Sequence, residues 1–168
     1  MDDREYDNRS FPIREDMTLQ RATWRFERIG WFVLLVLIGL TLAGLFSKGP
    51  LSQVNDQTAD GTLEIRYERF SRNGAQDEII VTARGAPGQF LRLALGGRLL
   101  EGFSIEALNP QPAPLTSDGQ DLIIPMLADR KGVATLYLTI RSNGIGLYQG
   151  YVRLDEGEHL AVPKFVYP

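Results

Sequence analysis

An uninterrupted apolar segment near the N-terminus constrains the fold of this chain more than any other feature. Residues 29–46 read IGWFVLLVLIGLTLAGLF and contain no charged residue and no proline. As an α-helix the segment would be about 27 Å long, which nearly matches the roughly 30 Å hydrocarbon core of a bilayer. The sequence therefore predicts one transmembrane helix at residues 29–46.

Aromatic and basic residues flank this segment, as in membrane-interface anchors. More arginines precede the segment than basic residues follow it within about twenty residues, so the positive-inside rule predicts a cytoplasmic N-terminus. The part of the chain after the segment is then extracytoplasmic. Gly39 and Ala43 stand four residues apart and are predicted helix contacts within the bilayer. The predicted membrane-interface residues are Arg21, Trp24, Arg25, Arg28, Trp31 and Lys48.

Two other interpretations of the segment are weaker. Small residues at Thr41-Leu42-Ala43 would suit cleavage of a signal peptide, but 28 residues of mixed charge precede the segment, and its length exceeds the usual apolar run of about 7 to 15. A buried helix in a globular protein usually carries a polar stripe, whereas only Thr41 interrupts the apolar circumference here. The anchor interpretation therefore fits best.

The composition of the flanking segments divides the rest of the chain. Residues 1–16 alternate acidic and basic side chains, which predicts a disordered cytoplasmic tail. Residues 17–28 are predicted to form a juxtamembrane helix that continues into the membrane. Residues 47–61 contain Gly, Pro, Ser, Asn and Asp without periodicity, which indicates a linker. The folded extracytoplasmic domain is expected at residues 62–168.

This domain shows the alternation of apolar and polar residues that is typical of half-buried strands. Leu63, Ile65 and Tyr67 alternate with charged residues, and a phase change after Arg69 indicates a bulge. The Asn-Gly pair at 143–144 predicts a hairpin turn. About eight short strands without a convincing helix predict an all-β antiparallel sandwich, immunoglobulin-like or fibronectin-like in topology. A closed barrel is the alternative.

Composition excludes most catalytic and metal chemistry. The chain has no cysteine, one histidine and a net charge of −3, so disulfides, thiolate sites and a nucleic-acid partner are not expected. A hydrolase would need His159 beside Ser104, Ser117 or Ser142, none of which has a nucleophile-elbow sequence. We therefore predict no catalytic, cofactor-binding or metal-binding residue, no cofactor and no enzymatic activity.

Two acidic groups and three tyrosines are the remaining candidates. Asp118 with Asp121, and the acidic turn at residues 155–158, match no known order of calcium ligands and are expected to be solvated turns. Alternate aromatic residues near the end of the domain are expected in the core, but exposed tyrosines would suit a protein interface. The candidate interface residues are Tyr148, Tyr151 and Tyr167.

The anchor FERIGWFVLLVLIGLTLAGLF, combined with an all-β domain that ends in KFVYP, resembles small single-pass membrane proteins of proteobacteria. Fifteen arginines against three lysines fit such a source. Genes for these proteins often neighbour a gene for a multi-pass protein of the YetF-like family (DUF421). The resemblance implies a place in the bacterial inner (cytoplasmic) membrane, a periplasmic C-terminal domain and a membrane-protein partner.

These observations favour a non-catalytic accessory protein that is anchored in the lipid bilayer and presents a periplasmic β-sandwich to a membrane or envelope partner. An extracytoplasmic ligand- or glycan-binding module is the alternative, and it requires a concave aromatic site. An extracytoplasmic hydrolase is the weakest hypothesis, because the chain offers only one histidine.

Overall fold

The structure is a computed structural model that describes residues 17–42, 49 and 51–168. The chain divides into two compact units, residues 1–40 and residues 41–168, and each is described by itself. The disordered tail predicted at residues 1–16 lies outside the described residues.

The described part of the first unit belongs to one long helix, α1 (Met17–Leu42), whose last two residues are counted in the second unit. It includes residues 17–28, predicted as a juxtamembrane helix, and residues 29–42 of the predicted transmembrane segment. Its side chains from Thr23 to Leu42 are exposed. Among the described residues, there is no helix with both the length and the apolar content that crossing a membrane requires. Residues 43–46 of the predicted segment lie outside the described residues.

The second unit consists of β-strands joined by turns and one short helix, α2 (Leu99–Gly102). Alternating apolar and polar residues favour strands because successive side chains point to opposite faces of a sheet. In chain order the strands are β1 (Gln53–Gln57), β2 (Leu63–Glu68), β3 (Phe70–Arg72), β4 (Gln76–Arg84), β5 (Phe90–Gly97), β6 (Phe103–Asn109), β7 (Thr116–Asp118), β8 (Asp121–Leu127), β9 (Val133–Ser142), β10 (Gly146–Leu154) and β11 (His159–Tyr167).

The strands form two sheets with one core between them. Sheet A has the order β1-β2-β4-β9-β6, and sheet B has the order β3-β11-β10-β5-β8-β7. Neighbouring strands run antiparallel, except that β3 and β11 are parallel. Ile65 of sheet A and Leu95 of sheet B are at most 1% exposed. Each such buried side chain contributes about 1.5 to 3 kcal/mol of hydrophobic free energy.

The prediction of an all-β sandwich is confirmed, and the described residues form eleven strands in place of about eight. Eight strands have six or more residues, and the additional, shorter strands are β1, β3 and β7. Strand β1 lies inside the predicted linker, residues 47–61, and corrects that prediction, because it pairs with β2 over its whole length. Its sequence QVNDQ has one apolar residue and therefore no visible alternation. The immunoglobulin-like or fibronectin-like topology stays a prediction.

Two local predictions are wrong because the chain changes sheets at these points. After Arg69 the chain passes from β2 in sheet A to β3 in sheet B, so the phase change marks a crossing and not a bulge. The Asn-Gly pair at 143–144 likewise connects β9 in sheet A with β10 in sheet B and does not close a hairpin. The hairpin of this region is formed by β10 and β11.

Candidate functional site

An open groove lies at one edge of the sandwich, where both edge strands are shorter than their neighbours. In sheet A, β6 pairs with β9 only from residue 137 onward, so residues 133–136 of β9 pair with β4 alone. In sheet B, β7 pairs with β8 only at residues 121–123, so residues 124–127 pair with β5 alone. Two strand segments therefore have one edge without a neighbouring strand in the part of the chain that the structure describes.

The connection between β6 and β7 borders this groove. It has the sequence PQPAPL at residues 110–115 and is called the proline loop here. Pro110, Pro112 and Pro114 lack an N–H group, so the loop cannot continue the hydrogen-bond ladder of β6. Strand β6 consequently ends at Asn109 and leaves the start of β9 uncovered.

The groove is apolar. It has a volume of about 350 Å³ and is lined by the proline loop, β8, β9 and the start of β5. Phe90 and Leu127 lie opposite each other on β5 and β8, line the groove, and are 71% and 59% exposed. Gln111 and Thr135 supply the polar side chains, and no charged side chain is among the described lining residues. The surface therefore suits apolar side chains of a partner.

A second and more polar surface lies on sheet B. The Tyr151 hydroxyl donates a hydrogen bond to the Asp121 carboxylate, whose two oxygens lie 2.7 and 2.8 Å from it. This hydrogen bond raises the pKa of Tyr151 above its usual value. The His159 ring packs edge-on against the Tyr151 ring, with 5.9 Å between centroids. The result is a shallow aromatic depression beside a carboxylate.

A buried polar cluster connects the two sheets. Lys164 of β11 is 0% exposed, and its Nζ lies 3.1 Å from Oδ2 of Asp77 on β4. The amine also donates to the main-chain carbonyl oxygen of Glu68 at 2.7 Å, and the Ser71 hydroxyl of β3 donates to the same Asp77 oxygen. Burial lowers the pKa of Lys164, and Asp77 opposes this shift. The cluster is thus an amine–carboxylate pair that is removed from water.

Four of the predicted membrane-interface residues have described side chains on α1. The Arg28 guanidinium lies over the Trp24 ring, 3.9 Å from its centroid, as expected for an i, i+4 pair on a helix. Arg25 and Trp31 are exposed on the same helix. Their predicted position at a membrane surface stays a prediction.

The other predicted anchor residues are described only in part. Arg21 belongs to α1, but its side chain is not among the described parts. Ala43 and Lys48 lie outside the described residues. At Gly39, apart from the neighbouring residues and the backbone of the helix itself, no heavy atom of the described residues lies within 4 Å of the position that a Cβ would take. The helix-contact face predicted at Gly39 and Ala43 stays a prediction.

The structure does not bring the three candidate interface tyrosines together. Tyr148 packs edge-on against Phe103 beside the core, with 5.7 Å between ring centroids. Tyr151 lies on the opposite face of β10, because its position differs from that of Tyr148 by three residues. Tyr167 is half-buried near the end of β11. Their role in an interface stays a prediction.

The serines named for a hydrolase have other partners in the described structure. The buried Ser142 hydroxyl donates to a main-chain carbonyl oxygen at 2.6 Å. Ser104 accepts a hydrogen bond from an asparagine amide, and Ser117 lies within 3.3 Å of two main-chain carbonyl oxygens. His159 is exposed and contacts Tyr151. None of these arrangements forms a serine–histidine pair.

Three of the acidic residues considered for calcium, Asp121, Asp155 and Glu158, bind protein groups. Asp155 Oδ1 accepts a main-chain N–H at 3.2 Å, and Glu158 Oε2 accepts another at 3.1 Å. Asp121 is held by Tyr151 and by Arg153, whose Nη2 lies 3.9 Å away. These carboxylates therefore fasten turns and strands.

No protein-family model matches this chain, and no curated protein matches it in sequence. Among solved structures, the chain is similar to one chain of the crystal structure of Coh-OlpC-Doc435, a type I cohesin–dockerin complex from Clostridium thermocellum. The two chains are 14% identical, the match covers 66% of this chain and 91% of that chain, and the TM-score is 0.35. A similarity this distant carries no argument about function.

Sequence reasoning missed both the groove and the buried cluster. The sequence does contain a signal for the buried cluster. Lys164 falls on the same face of its strand as the apolar Val162, and Asp77 falls on the same face as the apolar Ile79. A charged residue on the buried face of a strand needs a partner. The groove had no comparable signal, because it depends on where β6 and β7 end relative to their neighbours.

Proposed function

We propose that this chain is a non-catalytic, membrane-anchored accessory protein that presents its β-sandwich to a protein partner in the membrane or envelope. The groove beside the proline loop carries the proposal. Its lining is apolar, two strand edges beside it are open, and the large side chains of Phe90 and Leu127 are exposed. Open strand edges and exposed apolar clusters are typical of binding surfaces.

The groove favours an extended apolar segment of the partner protein as its occupant. Such a segment would pair with an open strand edge and place alternate side chains in the groove, as in strand addition. Residues 133–136 of β9 are the better edge, because Pro125 removes a donor from β8. The lack of charged lining residues among those described disfavours an ionic ligand. The groove volume of about 350 Å³ is near the lower end of the volumes that ligand-binding pockets have, and it suits a few side chains.

The anchor in this proposal is the apolar segment at residues 29–46. The described helix contains residues 29–42 of it, about 21 Å at roughly 1.5 Å per residue, so crossing a bilayer requires residues 43–46 as well. The excess of arginines before the segment supports a cytoplasmic N-terminus and a periplasmic sandwich in the bacterial inner membrane. The resemblance noted above supports a YetF-like multi-pass protein as the partner.

Photocrosslinking in the membrane, followed by affinity capture of the full-length chain in mild detergent, tests the proposal. A photoreactive amino acid replaces Leu127 in the groove or, as a matched control, Leu147, which is 54% exposed on the same sheet but outside the groove. Parallel captures use two double variants. The groove variant carries Phe90→Asp with Leu127→Asp, and the control pair is Leu147→Asp with Phe165→Asp. A third chain carries an unrelated transmembrane helix in place of residues 29–46.

The proposal predicts crosslinks from position 127 to one membrane or envelope protein and none from position 147. It also predicts loss of that protein in the groove variant and retention in the control pair. Crosslinks to a second copy of the chain would make the groove a self-association site and would overturn the proposal. Equal capture by both pairs, or loss only with the replaced helix, would also exclude the groove as the binding site.

An extracytoplasmic ligand- or glycan-binding module is a second candidate, and the aromatic depression on sheet B favours it. Tyr151 is half-buried and His159 is exposed, and their rings, with Gln149 and a carboxylate nearby, suit the stacking and hydrogen bonding of a sugar. We expect a ligand of this kind to raise the melting temperature of the full chain, and Tyr151→Ala to abolish the rise. No shift with periplasmic glycans would remove this candidate.

A further inference from the structure

A lysine is among the fully buried side chains of the sandwich. Lys164 lies on the inward face of β11, beside Val162 and Val166, and is 0% exposed. The Phe103 ring centroid lies 5.3 Å from Nζ and covers the amine. A lysine is almost never fully buried without a special arrangement around its amine. The proposed binding function makes no use of this residue.

The arrangement around Lys164 sets an amine against a carboxyl group of the other sheet. Asp77, on β4 of sheet A, is 8% exposed, and its Oδ2 lies 3.1 Å from the amine. The carbonyl oxygen of Glu68 accepts a hydrogen bond from the amine at 2.7 Å and fixes its direction. Ser71 donates to the same oxygen of Asp77. Two groups that react by condensation are therefore held in contact, with their orientation fixed by neighbours.

Burial changes the chemistry of such a pair. Ionised groups lose their hydration in the protein interior, so a neutral amine and a neutral acid become more accessible than in water. Burial lowers the pKa of Lys164 accordingly. Fixed proximity is worth an effective concentration of up to about 10⁵ to 10⁸ M. Exclusion of water also disfavours the reverse reaction, hydrolysis.

We propose that Lys164 and Asp77 form an intramolecular amide bond that joins the two sheets covalently. A proton passes from the ammonium of Lys164 to the Asp77 carboxylate, and the neutral amine then attacks Cγ. The new N–C bond forms, the Cγ–Oδ1 bond breaks, and Oδ1 leaves as water with two protons that came from the amine. One positive and one negative charge disappear together, so no oxidant, reductant or other reactant is needed.

Ser71 is a positioning residue in this reaction. Its hydroxyl donates to Oδ2, the oxygen that stays in the amide and that carries negative charge while the tetrahedral intermediate exists. Ser71→Ala should therefore slow amide formation while leaving both reacting groups in place. If Ser71 had a structural role only, its replacement would alter the stability of the fold without changing the rate at which the chain loses water during amide formation.

Mass spectrometry of the full-length chain, purified in mild detergent and then denatured, tests the proposal. We expect the measured mass to be lower than the sequence mass by one water, about 18 Da. Trypsin should then fail to cleave after Lys164 and should yield one branched peptide that joins residues 73–84 to residues 154–168.

Lys164→Arg is the matched control, because it keeps the charge but provides no nucleophilic amine. This variant should have its full sequence mass, and far-UV circular dichroism should show that it is folded. Dehydration at Asp118-Gly119 would also remove one water, but it would leave a linear peptide and would persist in Lys164→Arg. A folded wild-type chain with its full sequence mass, or cleavage after Lys164 in all molecules, would overturn the proposal. Neither result would affect the proposed binding function.

Discussion

The Tyr148 ring lies against two glycines, Gly102 and Gly144, and this close packing allows a quantitative prediction. A Cβ at Gly102 would lie 2.2 to 2.5 Å from three ring carbons of Tyr148. The ring would have to move by about 1.5 Å to reach an ordinary contact distance of roughly 3.7 Å. It would then lose its edge-on contact with Phe103, about 0.5 to 1.5 kcal/mol, in addition to an overpacking cost of about 1 to 3 kcal/mol. We expect Gly102→Ala to lower the free energy of unfolding by about 2 to 4 kcal/mol.

Urea unfolding followed by far-UV circular dichroism measures this change. Tryptophan fluorescence would not report on the sandwich, because both tryptophans lie in α1. In a Tyr148→Leu background the ring is absent, so Gly102→Ala should cost less than about 1 kcal/mol. Gly144→Ala should cost less than Gly102→Ala in the wild-type background, because its Cβ would meet mainly the Tyr148 hydroxyl, the end of a side chain. An equal cost of Gly102→Ala with and without the ring would refute the reasoning.

Three further predictions concern other contacts. Asp129→Ala should accelerate hydrogen exchange at the amides of Lys131 and Val133, which donate to its carboxylate at 2.8 and 2.9 Å, and unchanged rates would contradict this. Gly97→Ala should destabilise the sandwich by about 1 to 3 kcal/mol in urea, because φ is +76° and a Cβ would lie 2.8 Å from a carbonyl oxygen of β10. In chains without the amide, the pKa of Lys164 is lower in the folded state than the ordinary lysine value of 10.5. Between these two pKa values the unfolded state therefore binds more protons than the folded state. Stability should thus rise with pH between the folded pKa and 10.5, and urea midpoints at increasing pH check the sign.

The sequence allowed the strands with a buried face to be predicted, and the reason is periodicity. In β2 the inward positions, Leu63, Ile65 and Tyr67, are all apolar, so burial leaves a visible period of two. Strand β7 has no apolar residue and β3 has only three residues, so neither shows a period. Such strands form because a neighbouring strand offers hydrogen-bond partners, which a local pattern does not record.

The crossings between sheets and the groove could not be predicted from local sequence. An Asn-Gly pair permits a tight turn, but the partners of β9 and β10 decide whether the turn closes a hairpin or connects two sheets. Phe90 occupies an outward position in β5, and only the ends of the edge strands show that it lines a groove. Lys164 and Asp77, by contrast, stand on buried faces and were detectable from the same alternation that predicted the strands.

Strand β11 lies between β3 and β10 in the interior of sheet B, although it is the last strand along the described chain. Its residue Phe165 pairs with Phe70, which is synthesised 95 residues earlier. Strand β3 therefore has no neighbour to pair with until residues 159–167 have been synthesised and are free to fold. Folding that depends on such distant contacts is slow, and the exposed apolar faces favour aggregation during the delay. We therefore expect the sandwich to be most prone to aggregation before β11 takes its place between β3 and β10.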